Sequence, residues 1–257
     1  MDTTLGVPAV NAIDTAAPFR WLAGAWNDMR KALGPCLAYG LALAVMSIVG
    51  SAAFVASNAA FWVLALSCGF VFIAPILAMG LYEAGRLLEQ GRTPTLNQML
   101  FVRQALRQDV VYLGLALLMI YLLWGRIAQV VYGLSTYRFH RTVESFVVFA
   151  LTTDEGHAML ISGTAIGGVI AFFTYCLVVI AAPMLLDSRT SVWAASATSF
   201  AAVAKNPAPM LLWAFLIVAL LLIAAATAFL GLIVIFPWLG LATWRAYREL
   251  VPDRAPR

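Results

Sequence analysis

The side chains best suited to bind a metal ion lie close together in the middle of the chain. They are two histidines and three carboxylates: His140, Glu144, Asp154, Glu155 and His157. Imidazole and carboxylate groups bind several divalent metal ions. Their spacing matches neither HExxH nor another established ligand pattern, and Thr152 to Glu155 has the spacing of a helix capping box. We therefore interpret these acids as capping groups in a solvated loop, and expect no metal site.

Sequence motifs for common enzymatic chemistry are missing from the chain. It has no P-loop, no dinucleotide-binding fingerprint after a strand and no GxSxG nucleophile motif. We therefore expect no catalytic residues, no cofactor and no enzymatic activity.

Arg126 is the only basic residue embedded in a long apolar segment. Counting from Asp109 at ~1.5 Å per residue places it about 25 Å along a helix, near the far interface of a membrane. A long side chain at that depth can extend its guanidinium group into the headgroup layer. We interpret Arg126 as interfacial, and keep a functional intramembrane charge as the alternative.

Three prolines occupy related segments, FVFIAPIL, VVIAAPML and LIVIFPWL, in which Pro75, Pro183 and Pro237 are each followed two residues later by leucine. Proline removes a helical hydrogen bond and clashes with the preceding turn. We interpret the three prolines as structural kinks. The alternative is gating around broken helices, as in transporters.

Gly163 and Gly167 form a GxxxG motif in an apolar segment. This spacing allows two helices to approach closely. In a chain with several apolar segments we expect helix packing within one molecule rather than dimerisation.

The composition indicates a membrane protein. Hydrophobic residues make up 63% of the 257 residues and charged residues 11%, against roughly 45–50% and 25% in soluble domains. The net charge of +4 comes from basic residues beside apolar segments, which is typical of membrane proteins and not of nucleic-acid binding. Cys36, Cys68 and Cys176 all lie in apolar segments and predict neither a disulfide nor a zinc site.

The apolar segments predict an all-α polytopic membrane protein with six transmembrane helices, arranged as three hairpins that are each preceded by an amphipathic interfacial helix. The segments cover about 35–56, 59–82, 110–134, 152–186 and 209–244, with a turn near Thr227 to Gly231 dividing the last. The first interfacial helix should turn Phe19, Leu22, Trp26, Met29 and Leu33 to the membrane. The second should be capped by Thr93, end at Gln108 and turn Leu96, Met99, Val102 and Leu106 to lipid.

The related proline segments predict an internal threefold repeat. Gly69 and Gly231 precede their prolines by six residues, and Arg86 and Arg248 follow by eleven. The repeat units cover about 17–89, 94–187 and 188–251 of a single membrane domain, 17–251. Polar tails cover 1–16 and 252–257.

Basic residues set the predicted orientation. Six spans place most of them on one side: Arg20, Arg30, Lys31, Arg86, Arg92, Arg103, Arg107, Arg189, Lys205, Arg245, Arg248, Arg254 and Arg257. Only Arg126, Arg138 and Arg141 lie on the other. Both termini are therefore predicted to be cytoplasmic.

Several segments resemble a bacterial family of integral membrane proteins of unknown function, some of whose members are labelled cytochrome c oxidase subunit I. The segments are AWNDMRKALGPCLAYG, PILAMGLYEAGRLLEQG, PMLLDSRTSVWAA, KNPAPMLLWA and FPWLGLATWRAYRELV. The resemblance implies the bacterial inner membrane. Members often have Gly-His where this chain has Gly240 and Leu241. Haem and copper in an oxidase core need several intramembrane histidines, so only a non-catalytic accessory subunit is compatible with the label.

The expected function is that of an inner-membrane accessory, assembly or scaffold component. Its expected partners are membrane lipids and other membrane proteins, without nucleic acid. The alternative is a carrier or channel-like protein for a lipid or weakly polar solute, which the kinked repeated hairpins favour and the scarcity of intramembrane polar groups opposes.

Tags on the two termini test the orientation. We expect both to resist external protease in intact cells and to be cleaved after permeabilisation, because six spans return the chain to the cytoplasmic side. A C-terminal tag cleaved in intact cells would contradict six spans.

Overall fold

The structure is a computed structural model that describes residues 8–57, 60–136, 140 and 142–252. Four basic residues used for the predicted orientation, Arg138, Arg141, Arg254 and Arg257, lie outside the described residues, as does the side chain of Cys68.

The described chain forms α-helices joined by short connections, without strands. The helices are α1 (Ala17–Lys31), α2 (Leu33–Ala56), α3 (Ala60–Leu77), α4 (Met79–Glu89), α5 (Leu96–Leu100), α6 (Gln108–Ser135), α7 (Val143–Thr152), α8 (Asp154–Val178), α9 (Ala181–Asp187), α10 (Val192–Lys205), α11 (Pro207–Ala226) and α12 (Leu232–Leu250). A 3₁₀ turn, Arg103–Leu106, follows α5. The all-α prediction is confirmed.

Five helical segments within the described residues are long and apolar enough to cross a membrane. They are Leu33–Ala56, Gly69–Glu89, Gln108–Ser135, Asp154–Asp187 and Pro207–Ala226. The sixth predicted span falls on α12, which is not among the five and carries Arg245, Arg248 and Glu249 near its end. Six spans therefore stay a prediction. The predicted turn at Thr227 to Gly231 is present, with Ala228 and Phe229 at positive φ.

The first interfacial helix buries part of the face that was predicted to contact the membrane. Leu22 and Met29 of that face are buried together with Trp21, whereas Phe19 and Trp26 are exposed. The helix packs along α12, a partner more than 200 residues away in sequence. Helical periodicity identifies an apolar face but not what covers it.

Two predicted caps were wrong. Thr95, not Thr93, caps α5 and forms a capping box with Gln98, because the extended backbone at Thr95 lets its hydroxyl oxygen reach the third helical N–H. The helix ends at Leu100, and its Met99 and the following Val102 are buried rather than turned to lipid.

The second wrong cap concerns Thr152, which ends α7 and donates a hydrogen bond to the Val148 carbonyl. Thr153 instead accepts a hydrogen bond from the Gly156 N–H at the start of α8. The apolar segment from Val143 forms a helix of its own, so the polar connection after α6 is shorter than predicted.

The described chain forms two compact units. The second unit covers Met46–Ala74 and Leu115–Thr174. Its cores are aromatic: Tyr132, Phe146 and Phe149 pack with Met159, and Phe72 and Trp124 pack with Ala65 and Ala128. The Trp124 indole donates to the Ala65 carbonyl over 2.8 Å.

The first unit covers Met1–Val45, Pro75–Gly114 and Tyr175–Arg257. At its centre α4, α9 and α12 contact one another. Three shorter helices pack around them, α1 against α12, α5 against α4, and α10 against α9. Of the outer helices, α1 thus contacts an inner helix far along the chain, whereas α5 and α10 each contact the inner helix that precedes them across a short loop.

Gly40 of α2 lies against the backbone of α12 at Ile233, four residues before Pro237. Pro237 has no N–H to donate to the carbonyl four residues earlier, that of Ile233. A Cβ atom added to Gly40 would lie 2.8 Å from the Ile233 carbonyl carbon and closer still to its oxygen. Because Gly40 has no side chain, α2 can pack over the Ile233 carbonyl, to which Pro237 cannot donate a helical hydrogen bond.

Gly40→Ala should lower the free energy of unfolding by about 1–3 kcal/mol, because backbone atoms must move to admit the methyl group. Gly50→Ala is the control, since it lies in the same helix with open space around it and should be neutral or stabilise by about 0.5–1 kcal/mol. Thermal unfolding in detergent measures both, and equal effects would contradict close packing at Gly40.

Candidate functional site

The first unit contains a pocket of about 530 Å³ between α1, α4 and α12, which we call the charged pocket. Four basic side chains, three carboxylates and three apolar side chains line it: Arg20, Lys31, Arg245, Arg248, Asp28, Glu89, Glu249, Trp21, Leu88 and Trp244. Volumes of a few hundred Å³ are typical of small-molecule sites. The lining bears one more basic group than acidic groups.

Two ion pairs join α1 to α12 beside the charged pocket. Arg245 contacts Asp28 at 2.6 Å, and Arg20 contacts Glu249 at 2.9 Å. The second oxygen of Glu249 accepts a hydrogen bond of 2.7 Å from the Trp21 indole. Glu249 is therefore held by a charge and by a buried ring, which restricts its position more than an exposed ion pair would.

Arg20 also binds the carboxylate of Asp14, just before α1. The distance is 2.7 Å, and the hydrogen bond from Arg20 lowers the pKa of Asp14 and raises the pKa of the guanidinium group. Both side chains are at least half exposed, so solvent screens this pair strongly.

A third ion pair joins α4 to α12. The Arg248 Nε donates to Glu89 over 2.8 Å. Arg248 Nη1 lies 4.0 Å from Oδ2 of Asp187, whose side chain is only 1% exposed. The same Asp187 oxygen accepts a hydrogen bond of 3.0 Å from the Tyr247 hydroxyl. Side chains from α4, α9 and α12 thus meet at one end of α12.

Two hydrogen-bond donors on the residues that line the charged pocket have no hydrogen-bond partner among the described residues. They are the indole Nε1 of Trp244 and Nη1 of Arg248, and both atoms are buried. The Trp244 ring packs against Gly85, where an added Cβ would lie 2.6 Å from the ring. An unpaired buried donor costs about 1–3 kcal/mol, so a ligand that supplied an acceptor here would gain affinity.

The sequence pattern singled out one residue of this pocket, Arg248, through its position eleven residues after Pro237, but it did not indicate a pocket. The pairing of α1 with α12 carried no sequence signal, because the partners lie 217 and 229 positions apart.

The three singled-out prolines lie in two different settings. Pro75 lies inside α3 and Pro237 inside α12, whereas Pro183 is the third residue of α9, after a break that follows Val178. At that break the Ile180 N–H donates to the Ser199 hydroxyl over 3.1 Å. After Pro75, the Tyr39 hydroxyl donates to the Leu77 carbonyl over 2.7 Å. Side chains of other helices thus satisfy backbone groups near two of the prolines.

Arg126 lies in the second unit, is exposed, and donates to Gln129 on its own helix over 3.0 Å. It lines a cavity of about 400 Å³ with Trp62, Tyr121, Leu122, Leu123 and Gly125. The role of Arg126 stays a prediction.

The two GxxxG glycines differ in how closely they are approached. A Cβ at Gly167 would lie 2.7 Å from the Trp124 ring, whereas one at Gly163 would only touch Val131 at 4.0 Å. Both contacts join α8 to α6 within one molecule.

The histidines bind neighbouring protein groups. The His140 ring stacks on Phe149 at 4.4 Å and lies 3.0 Å from the Tyr132 hydroxyl. His157 lies 2.9 Å from the Leu151 carbonyl. Across the described residues, no group of three or more histidine, cysteine, aspartate or glutamate side chains is placed to hold a metal ion.

These features define an all-helical integral membrane protein with several apolar helices. Residues 63–187 match the model of a family described as predicted integral membrane protein, DUF2189. The match confirms, over these residues, the resemblance to a membrane-protein family of unknown function. No curated protein and no solved structure matches the chain.

Asp28→Asn tests whether the ion pairs hold α1 on α12. Because Asp28 is largely buried and its loss leaves Arg245 without a counter-charge, we expect the free energy of unfolding to fall by about 1–3 kcal/mol. Asp14→Asn, at the exposed pair, is the control and should have a clearly smaller effect. Thermal unfolding in detergent compares them, and equal losses would contradict a special role for Asp28.

Proposed function

We propose that this chain is a non-enzymatic protein of the inner membrane that acts through contacts, as an accessory, assembly or scaffold component. The observation that carries the proposal is the arrangement of α1, α5 and α10, which each bury one side on an inner helix of the first unit and leave large apolar residues exposed. Each such helix is held in place by packing on one side and can contact a partner with its exposed side.

The pattern of contacts among these helices supports a pseudo-threefold repeat. In repeat units 17–89, 94–187 and 188–251, α1, α5 and α10 are the leading helices, and α4, α9 and α12 lie at the ends. The leading helix of the second repeat, α5, contacts the last helix of the first repeat, α4. The leading helix of the third repeat, α10, contacts the last helix of the second repeat, α9. The first leading helix, α1, contacts the end of the third and completes a cycle.

The exposed faces of the leading helices fit membrane lipids and other membrane proteins as partners. Phe19 and Trp26 are exposed on α1, Phe101 just after α5, and Trp193 and Phe200 on α10. Aromatic side chains favour the membrane interface, where an apolar ring and a polar edge are both accommodated. No nucleic-acid partner is proposed.

The proposed topology has six spans and both termini in the cytoplasm. Here α12 is the sixth span and returns the chain after the turn at Thr227 to Gly231. With Arg245 and the residues after it at the cytoplasmic interface, the apolar part of the helix from Leu232 to Trp244 covers about 20 Å. The proposed span therefore needs a bilayer locally thinner than the usual ~30 Å hydrocarbon core.

Gentle purification of the full-length protein, followed by identification of copurifying proteins, tests the proposal. We expect a stable membrane-protein partner, whose yield falls at least severalfold in Trp193→Ser because an aromatic contact side chain is removed. Trp193 is 78% exposed, and Leu134→Ser is the matched control because Leu134 is 84% exposed on α6, a helix without a proposed contact role. Equal yields from both variants would contradict contact through α10.

The same preparation separates the alternatives. Copurifying haem proteins with an oxidase spectrum would favour the accessory subunit of a respiratory oxidase. The carrier for a lipid or weakly polar solute is supported by the backbone break before Pro183, inside the apolar segment Asp154–Asp187. Solute uptake by the protein alone in liposomes, in the absence of any partner, would favour the carrier over the scaffold.

A further inference from the structure

Two hydrogen-bond donors at the charged pocket are left over by its ion pairs. The carboxylates of the pocket, Asp28, Glu89 and Glu249, are each bound by an arginine at 2.6–2.9 Å. Two buried donors, Nε1 of Trp244 and Nη1 of Arg248, lack a hydrogen-bond partner among the described residues, and the Asp187 carboxylate oxygen beside Nη1 is 4.0 Å away, too far for a hydrogen bond. Such donors call for a ligand that supplies acceptor oxygens, and hydrogen bonds to charged oxygens such as those of a phosphate are the strongest.

The pocket lies where candidate membrane spans end. Lys31 precedes the span Leu33–Ala56 by two residues, and Glu89 is the last residue of the span Gly69–Glu89. Residues at such positions lie at the level of lipid headgroups. A ligand that enters here is therefore within reach of the membrane surface.

We propose that the charged pocket binds the phosphodiester headgroup of an anionic phospholipid, whose phosphate oxygens accept hydrogen bonds from Trp244 and Arg248. The exposed side chains of Arg20 and Lys31 form the rim, and such side chains change rotamer rapidly enough to admit a ligand.

The lining favours a lipid over a free phosphate ion. The volume of about 530 Å³ far exceeds that of one phosphate group and leaves room for a glycerol unit. Trp21, Leu88 and Trp244 supply apolar surface beside the charges, which a lipid can cover and an inorganic ion cannot. Trp244 itself is held by packing, since it is only 2% exposed and its ring fills the space that Gly85 leaves open.

Native mass spectrometry of the full-length protein in detergent, titrated with phosphatidylglycerol or phosphatidylcholine, tests this site. We expect the wild-type protein to retain one phosphatidylglycerol in preference to phosphatidylcholine. Trp244→Phe should weaken that binding about tenfold, because it removes the indole donor and keeps an aromatic ring. Arg248→Gln should weaken it at least as much. Arg126→Gln, which removes an arginine in the second unit, should leave it unchanged.

Three results would overturn the proposal: unchanged phosphatidylglycerol binding in Trp244→Phe, equal binding of the two lipids, or calorimetric binding of inorganic phosphate without binding of lipid. Thermal unfolding in detergent checks that each variant is folded. If Arg248→Gln fails to fold because its pair with Glu89 is lost, Trp244→Phe decides the outcome. The lipid site is independent of the scaffold role, since partner copurification and lipid binding are measured separately.

Discussion

The packing of α1 along α12 joins the two ends of the chain, and much of the first unit depends on it. Arg20 and Trp21 both bind Glu249, while Arg245 binds Asp28. The segment before α1 extends the same contact, because Asn11 N–H donates to the Leu250 carbonyl and Ile13 N–H to the Asn206 side chain. Since α12 also contacts α4, α9 and α11, the fixing of α12 also fixes the helices around it.

Backbone hydrogen bonding imposes the second constraint. In an apolar environment each free carbonyl or N–H costs several kcal/mol, and proline frees one wherever it interrupts a helix. Here Ser199 and Tyr39 bind backbone groups close to two of the prolines. At the third, Gly40 lets a neighbouring helix approach the Ile233 carbonyl. Other helices therefore supply hydrogen-bond partners or close packing near all three prolines.

Sequence patterns predicted local features better than long-range pairing. The helices, the turn at Thr227 to Gly231 and the membrane class followed from apolar segments and turn residues, because these depend on near neighbours. Periodicity found an apolar face on α1 but assigned all of it to lipid, whereas Leu22 and Met29 of that face are buried within the protein. Of the residues that line the charged pocket, the repeat spacing singled out only Arg248. Asp28 and Glu249 are brought beside it by tertiary contacts, which no local pattern contains.

The contact between α1 and α12 also determines the order in which the protein can be completed. A ribosome delivers α1 well before α12, at about 5–20 residues per second. The buried face of α1 therefore lacks its α12 partners until that helix has been made: Trp21 lacks Glu249, and Asp28 lacks Arg245. Closure of the first unit therefore waits for α12, and a chain released without this helix exposes the Trp21 ring and the Asp28 carboxylate that α12 otherwise covers.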